Sequence, residues 1–271
     1  MKYALLILLA ALFLFPLYWM ATLSVQTRVQ VLKVPPDMYP RTVTLSNYAT
    51  LLRGYPMAQW TGNTLIIVAA TTVASVTISA LAGYAFAAFH FPGKEAIFWV
   101  FLSALMVTRY ALFVPAFVVL SKLHLVGIPA VILSCLFSPI GIYLFRSYLA
   151  ASVPTSYAES ARMDGAGELR ILREIMAPLC APVLAAMVVF KAVETLQDYI
   201  WQMLVLNRPE WYTLIVGLTR AAFQARDGEG RMPNYSVEAA AGMMMLLPLV
   251  VIFALTSRYF IKGIGEGGLK G

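Results

Sequence analysis

Charged residues are scarce in this chain: they form 12% of its 271 residues, whereas 61% are hydrophobic. A composition this apolar excludes an ordinary soluble globule and indicates an integral membrane protein. Cysteine and histidine are scarcer still, with only Cys135, Cys180, His90 and His124 present. None of these has a second Cys or His at ligand spacing, so the sequence predicts no metal site and two buried free thiols.

Acidic residues are fewer than basic ones, with 13 Asp and Glu against 20 Lys and Arg and a formal net charge of +7. A basic excess can indicate nucleic-acid binding. Here the basic residues are scattered through the connections between apolar runs, and they form no basic stripe or aromatic-interleaved patch. The sequence therefore predicts no nucleic-acid partner.

Long apolar runs dominate the sequence, and six of them reach the length of about 20 residues that a helix needs to cross a bilayer. They extend over approximately Tyr3–Leu23, Thr64–Phe89, Ala96–Leu120, Ile128–Leu149, Pro182–Val205 and Glu238–Phe260. The predicted fold class is an all-α membrane protein with six transmembrane helices. The first run is longer than the apolar core of about 7–15 residues of a signal peptide and lacks a clean cleavage site, which disfavours that alternative.

The rest of the chain consists of two long polar connections, 24–59 and 207–237, and several short ones. We find no internal repeat and no shift in composition, so residues 1–271 are predicted to form a single transmembrane domain. Charge does not decide the orientation, because placing both termini inside puts nine basic residues on each side of the membrane. The positive-inside rule is also weak for long loops.

One charged, helix-prone segment, Tyr157–Pro178, lies between the fourth and fifth runs, in a connection of about residues 152–178. The sequence predicts two short helices here, the first containing Glu159 and the second covering about residues 167–176. Gly165 should form the elbow between them, because glycine permits a left-handed backbone or a close backbone contact. The proline at the end of the segment should turn the chain into the fifth span.

The spacing of this segment resembles the signature E-A-A, three residues, G, nine residues, I-x-L-P of the membrane subunits of binding-protein-dependent ABC importers. The matching positions, which include a serine for the second alanine, are Glu159, Ser160, Ala161, Asp164, Gly165, Ala166, Ile175 and Pro178. The alternative is an ordinary amphipathic loop on the membrane surface, with Arg162, Arg170 and Arg173 facing lipid phosphates. The number of matches at fixed spacing favours the importer family.

Further motifs place the resemblance in the carbohydrate-type branch, which includes the maltose and glycerol-phosphate permease subunits. Residues 83–86 (GYAF) and 91–94 (FPGK) resemble the branch's G-Y-A-F-A-R-x-x-F-P-G-K, and residues 144–154 resemble its approach to the loop. The resemblance implies a type I ABC importer permease fold. It also implies that the eight matching positions couple the permease to its ATPase, and we therefore call residues 157–178 the coupling loop.

The family implies ATP-driven import of a sugar or polyol-like solute by alternating access. The implied partners are a second homologous permease subunit, two ATP-binding subunits, an extracytoplasmic solute-binding protein and membrane lipid. The implied location is a bacterial or archaeal plasma (inner) membrane, crossed several times, with both termini cytoplasmic. The chain has no phosphate-cradling loop, since neither Gly93-Lys94-Glu95 nor Gly165-Ala166-Gly167 meets the pattern. It is therefore predicted not to be an enzyme and to bind no cofactor, with ATP and Mg in partner subunits.

Charged residues within the predicted spans form a second candidate site. Each costs about 2.5–3.5 kcal/mol at mid-membrane, and Lys191, Glu194 and Asp198 share one helical face. Two interpretations remain open: Lys191 and Glu194 form a structural pair, or Glu194, Gln197 and Asp198 line the translocation path. Arg109 is expected to extend its side chain to the membrane interface.

Two other classes of protein fit the sequence less well. A secondary transporter driven by an ion gradient would need buried ion ligands, often with broken helices and inverted repeats, and we find no repeat. An intramembrane enzyme would need a nucleophile with its base, or a metal cluster, and both histidines are isolated in the sequence.

Overall fold

A computed structural model describes residues 2–35, 37–224 and 234–267 of the chain. This part contains helices and turns and no β-strand. The helices, in chain order, are α1 (Lys2–Ser24), α2 (Arg28–Val31), α3 (Ser46–Gly54), α4 (Met57–Ala88), α5 (Lys94–Ser103), α6 (Arg109–Lys122), α7 (Ile128–Ser134), α8 (Pro139–Ser152), α9 (Ser156–Met163), α10 (Glu168–Ile171), α11 (Ala177–Leu179), α12 (Ala181–Gln197), α13 (Tyr199–Val205), α14 (Leu214–Gln224) and α15 (Tyr235–Gly267). The predicted all-α class is confirmed.

Three helical stretches are long and apolar enough to cross a membrane: Tyr3–Ser24, Met57–Ala88 and Tyr235–Ile252. Three further pairs of helices meet the same criterion only together, because each is bent at a short break. They are Lys94–Met106 with Arg109–Lys122 (104°), Ile128–Ser134 with Pro139–Ser152 (43°), and Glu168–Leu179 with Ala181–Gln197 (86°). By length and composition, the described chain thus has three spans, or up to six if each bent pair counts as one.

The predicted third and fourth spans are therefore not continuous helices, and the predicted fifth span is interrupted at Asp198, between α12 and α13. The break before α8 has a clear cause. Ser138 precedes a proline and is extended, with φ −133°, and its side chain accepts a hydrogen bond of 3.2 Å from the Gly141 N–H. Proline disfavours the helical conformation in the residue before it, and a serine at this position caps a new helix.

The packing of the chain divides it into two compact units, Met1–Thr64 with Arg208–Val251 and Leu65–Asn207 with Ile252–Gly271. The single-domain organisation of residues 1–271 stays a prediction. In the first unit, the start of α4 holds the turn that precedes α14. Asn63 Nδ2 donates to the Glu210 carbonyl (2.8 Å) and Trp60 Nε1 donates to the Pro209 carbonyl (3.2 Å). Only glycine fits at position 217, because a Cβ there would overlap the Trp60 ring.

In the second unit, one buried cluster joins α4, α8, the coupling loop and α12. Its members are Tyr84, Phe145, Leu149, Ala158, Ala161, Ile171, Leu172, Met176, Cys180 and Met187. Gly83 lets α4 approach α8 closely, since a Cβ there would lie 3.0 Å from both the Ile142 carbonyl oxygen and the Phe145 Cβ. Half of the members belong to the coupling loop, so this loop is part of the core of the unit.

Candidate functional site

The coupling loop forms two short helical arms, as the sequence predicts. The first arm is α9, and the second begins with α10 and continues through one π turn, Leu172–Met176, into α11. The chain then bends by 86° between Leu179 and Ala181. The turn was expected at Pro178, but the proline is still helical, as the second residue of α11, and the bend follows it.

The elbow between the arms closes with the hydrogen bonds of a Schellman motif. The Gly165 N–H donates to the Arg162 carbonyl and the Ala166 N–H donates to the Ala161 carbonyl, each at 3.0 Å. Gly165 is left-handed, with φ +79°. A Cβ at this position would meet nothing within 4 Å, so the backbone conformation rather than a close contact requires glycine. The motif gives a physical reason for the glycine in Asp164-Gly165-Ala166, where Asp164 is the residue that follows α9.

The two sides of α9 have opposite environments. Ala158 and Ala161 are buried in the cluster, whereas Glu159 and Ser160 are exposed and Met163 is 88% exposed. In the part of the chain that the structure describes, we find no hydrogen bond or ion pair of the Glu159 carboxylate. It lies in the first turn of α9, where the helix dipole favours a negative charge. The Glu159 carboxylate therefore lies on the exposed side of the first arm and is available to a partner.

Ile175 and Ala166 lie on the inner side of the loop, where both are partly buried against the same cluster. A helix lying on the membrane surface would instead bury its apolar face in lipid. Protein core covers this face, so the amphipathic-surface alternative does not describe the loop. Two of the three arginines on which that alternative depends form ion pairs within the loop, Arg162 with Glu168 and Arg170 with Glu174.

An ion pair with a third partner crosses the elbow, and it is not among the features expected from the sequence. Arg162 Nε lies 2.6 Å from Glu168 Oε1, and the Tyr84 hydroxyl donates to Glu168 Oε2 at 2.7 Å. The hydrogen bond from Arg162 lowers the pKa of the Glu168 carboxyl and raises the pKa of the guanidinium, so both groups are charged at neutral pH. Opposite charges on the two sides of a predicted glycine elbow could have indicated the pair, but nothing local indicates Tyr84.

The second candidate site is a network of four charges. Arg109 donates from Nη1 to Glu194 Oε1 (2.7 Å) and from Nη2 to Asp198 Oδ2 (2.8 Å), while Lys191 Nζ lies 3.0 Å from Glu194 Oε2. Arg109 thus has two carboxylate partners in the structure, and its extension to the membrane interface stays a prediction. Two carboxylates opposite its guanidinium provide the compensation that a charge in an apolar environment requires.

The network lies at two interruptions of helical structure. Arg109 is the first residue of α6, and Asp198 occupies the break between α12 and α13 with φ −78° and ψ 66°. The side chains of Lys191 and Asp198 are buried, at 6% and 7% exposure, whereas those of Arg109 and Glu194 are 42% and 32% exposed. The network therefore has a buried side and an open side.

The structure brings together only two of the three predicted path residues. Glu194 and Asp198 meet through Arg109, whereas Gln197 is exposed and has no hydrogen bond within the described part of the chain. Gln197 and Asp198 are adjacent, yet their side chains have different environments. The described residues contain no group of three His, Cys, Asp or Glu side chains that could hold a metal ion.

Comparison with known proteins identifies the family. The model of the binding-protein-dependent transport system inner membrane component matches residues 75–265. The chain is also 31% identical over 268 residues to the arabinooligosaccharides transport system permease protein AraQ of Bacillus subtilis (strain 168), covering 97% of this chain and 93% of that protein. The chain belongs to the family of binding-protein-dependent transport system inner membrane components.

Other relatives of this permease have related roles. The sn-glycerol-3-phosphate transport system permease protein UgpE of Rhizobium meliloti (strain 1021) is 27% identical over 260 residues, covering 93% of this chain and 90% of that protein. A bacterial ABC transporter involved in the import of the acidic polysaccharide alginate has a crystal structure with a chain that matches at a TM-score of 0.83. It is 22% identical and the match covers 96% of the permease and 95% of that chain.

These findings confirm the predicted resemblance to the carbohydrate-type permease subunits and the type I permease fold. The chain is the permease of a binding-protein-dependent ABC importer and a component of the inner membrane. Its relatives are transport permeases rather than enzymes.

Proposed function

We propose that this permease imports an oligosaccharide or a polyol-like solute by alternating access, driven by ATP that separate subunits hydrolyse. The solute class is supported by relatives whose names refer to arabinooligosaccharides, galactooligosaccharides and sn-glycerol 3-phosphate. ATP and Mg belong to the partner subunits in this account, and the permease itself carries out no chemistry.

The observation that carries this proposal is the construction of the coupling loop. Its inner side is part of the hydrophobic core, and its outer side presents Glu159, Ser160 and Met163 from a rigid elbow. A rigid arm anchored in the core can transmit the movement of a docked subunit to the spans, whereas a loosely attached loop would absorb it. The matching positions of the signature thus have two roles: Ala161, Gly165, Ala166 and Ile175 shape the loop, and Glu159 and Ser160 contact the ATPase.

The partners and the orientation follow from this role. An ATPase docks from the cytoplasm, so the coupling loop faces the cytoplasm and, with six spans, both termini lie on that side. Two ATP-binding subunits require two permease chains, and the second is a homologous subunit with a coupling loop of its own. A solute-binding protein delivers the solute on the outer side.

The translocation path, in this proposal, passes along the open side of the four-charge network. Arg109 and Glu194 have partly exposed side chains and can exchange their ion pair for hydrogen bonds with solute hydroxyls. Gln197 adds a neutral amide beside them. The buried Lys191 and Asp198 hold the two exposed groups in place, which combines the structural interpretation of the network with the functional one.

Uptake by proteoliposomes tests the function. The permease is reconstituted with its partner permease, its ATPase and its solute-binding protein, and offered labelled arabinooligosaccharides, galactooligosaccharides and glycerol 3-phosphate in turn. We expect uptake of one of the three solutes, and this uptake should require both the binding protein and ATP on the side of the vesicle membrane where the ATPase lies. It should persist when an ionophore removes ion gradients. Uptake that needs an ion gradient and proceeds without ATP would instead identify a secondary transporter.

A further inference from the structure

Tyr84 makes the one side-chain hydrogen bond from α4 to the coupling loop in the described structure. Its side chain is buried, with the residue 4% exposed, and its hydroxyl donates to Glu168 Oε2 at 2.7 Å. The same carboxylate receives Arg162 from the other arm, at 2.6 Å to Oε1 and 3.2 Å to Oε2. One carboxylate therefore ties both arms of the loop to a membrane helix.

Tyr84 lies in α4 between two contacts of this helix, one with α8 and one with the coupling loop. The preceding residue, Gly83, packs directly against Phe145 of α8, and α8 leads into the coupling loop. The helix is thus held to α8 on one side and to the second arm of the loop on the other. In the described part of the chain no other hydrogen bond joins α4 to the loop, and the other residues of α4 that pack against the cluster are apolar. Apolar contacts are non-directional, so they do not by themselves fix the position of the loop along the helix. A hydrogen bond to a charged carboxylate is directional and stronger than a neutral one.

We propose that Tyr84, Glu168 and Arg162 form a relay that transmits the movement of the coupling loop to α4. Tyr84 and Glu168 are positioning residues in this relay, since neither contacts the ATPase or the solute. When the ATPase moves the first arm, Arg162 carries Glu168 with it, and Glu168 carries the tyrosine and its helix. The inference rests on the proposed function and adds the residues through which the loop acts.

A matched pair of substitutions isolates the tyrosine hydroxyl. Tyr84→Phe removes one oxygen from a buried ring, and Tyr148→Phe makes the same change at a ring packed against the same cluster. The Tyr148 hydroxyl has no hydrogen bond within the described part of the chain. Both variants are assembled into the full importer, and ATP hydrolysis is measured against increasing binding protein loaded with whichever of the three solutes wild-type vesicles take up.

We expect the Tyr84→Phe chain to co-purify with its partners. Both the stimulation of ATP hydrolysis by loaded binding protein and the rate of uptake should fall about fivefold or more, since fivefold is the lower end of typical coupling between sites. The maximal stimulation should fall while the half-saturating concentration of binding protein stays the same, because docking outside the membrane is intact. Tyr148→Phe should behave as wild type. If the hydroxyl had a purely structural role, Tyr84→Phe would lower the yield of assembled importer, and the importer that did assemble would keep its maximal stimulation.

A second variant tests whether the three groups act as one unit. In a Glu168→Leu background the tyrosine has lost its acceptor, so Tyr84→Phe should cause no further loss. Three results would each overturn the relay. They are losses of stimulation from Tyr84→Phe and Glu168→Leu that multiply in the double variant, a Tyr84→Phe importer that is stimulated as strongly as Tyr148→Phe, and a Tyr84→Phe chain that fails to assemble. If only the relay is wrong, loaded binding protein still stimulates the wild-type importer. If it does not stimulate even the wild-type importer, both the proposed function and the relay are overturned.

Discussion

Arg109 and Asp198 join two breaks in helical structure through an ion pair of 2.8 Å. The arginine begins α6, and the aspartate occupies the single non-helical residue between α12 and α13. With Glu194 and Lys191, they form a network of two positive and two negative charges. The balance of charge allows these groups to lie in an apolar chain, and it makes the arginine indispensable to the two carboxylates.

Replacing Arg109 should therefore destabilise the permease. Arg109→Met leaves Glu194 and Asp198 without their guanidinium, and we expect a loss of about 1–3 kcal/mol, below the value for fully buried pairs because Arg109 and Glu194 are partly exposed. Thermal unfolding in detergent measures the loss. The double variant Arg109→Met with Asp198→Asn should recover part of it, and an Arg109→Met protein as stable as wild type would show that the network is not needed.

Accessibility to water distinguishes the exposed and buried members of the predicted path. In a background lacking Cys135 and Cys180, Gln197→Cys should react with a membrane-impermeant thiol reagent, and Asp198→Cys should react more slowly because that side chain is buried. The rate at position 197 should change when ATP and loaded binding protein are added, since alternating access opens the path to one side at a time.

Val188 offers a control for this experiment. It is 43% exposed and lies on the opposite side of α12 from Gln197, where we expect it to face lipid. Val188→Cys should stay unreactive in every state. If positions 197 and 198 also stay unreactive in every state, and Lys191→Met with Glu194→Leu preserves transport, the network is structural only and the path lies elsewhere.

The elbow of the coupling loop can be tested with two nearly isosteric side chains. Gly165 is left-handed, a conformation that Asn and Asp tolerate better than other residues, and the space around it is open. Gly165→Asp should insert and assemble but lose stimulation of the ATPase, because a new charge at the elbow has no partner and must lose its water when the subunit docks. Gly165→Asn should retain more stimulation, as the ratio of ATP hydrolysis with and without loaded binding protein will measure. Unchanged stimulation in Gly165→Asp would contradict docking at the elbow.

The free carboxylate of Glu159 should contribute to docking through its charge. Glu159→Lys reverses the charge in the first turn of α9, which the helix dipole disfavours, whereas Glu159→Gln only removes it. We expect the lysine variant to co-purify with less ATPase than the glutamine variant. Equal recovery of the ATPase with both variants would argue against an electrostatic contact at this position.

The local features of the site could be predicted from the sequence, and the long-range ones could not. The Gly165 elbow depends on hydrogen bonds between residues at most five positions apart, so its motif specifies it. The carboxylate partners of Arg109 lie 85 and 89 positions away, and the carboxylate that accepts from Tyr84 lies 84 positions away. Such pairs depend on how the helices pack, about which an apolar composition says nothing.

The number of apolar runs was easier to predict than their continuity. Each run is long enough for a span, but a single residue is enough to break a helix. Asp198 interrupts the fifth run within a stretch that is otherwise helical. Its side chain is stabilised by Arg109 from a different run, so no neighbouring residue indicates the break. The break before α8, by contrast, could be recognised from Ser138 and the proline that follows it.

A reversible cross-link from the coupling loop to the ATPase tests the central claim most directly. Met163 is 88% exposed at the end of α9, beside the elbow. In the background lacking both native cysteines, Met163→Cys should cross-link to a cysteine introduced in the ATPase, stop ATP-driven uptake when the link forms, and restore uptake when it is reduced. A cysteine at this position that forms no cross-link and reacts freely with a soluble reagent in the assembled, transporting importer would contradict the account.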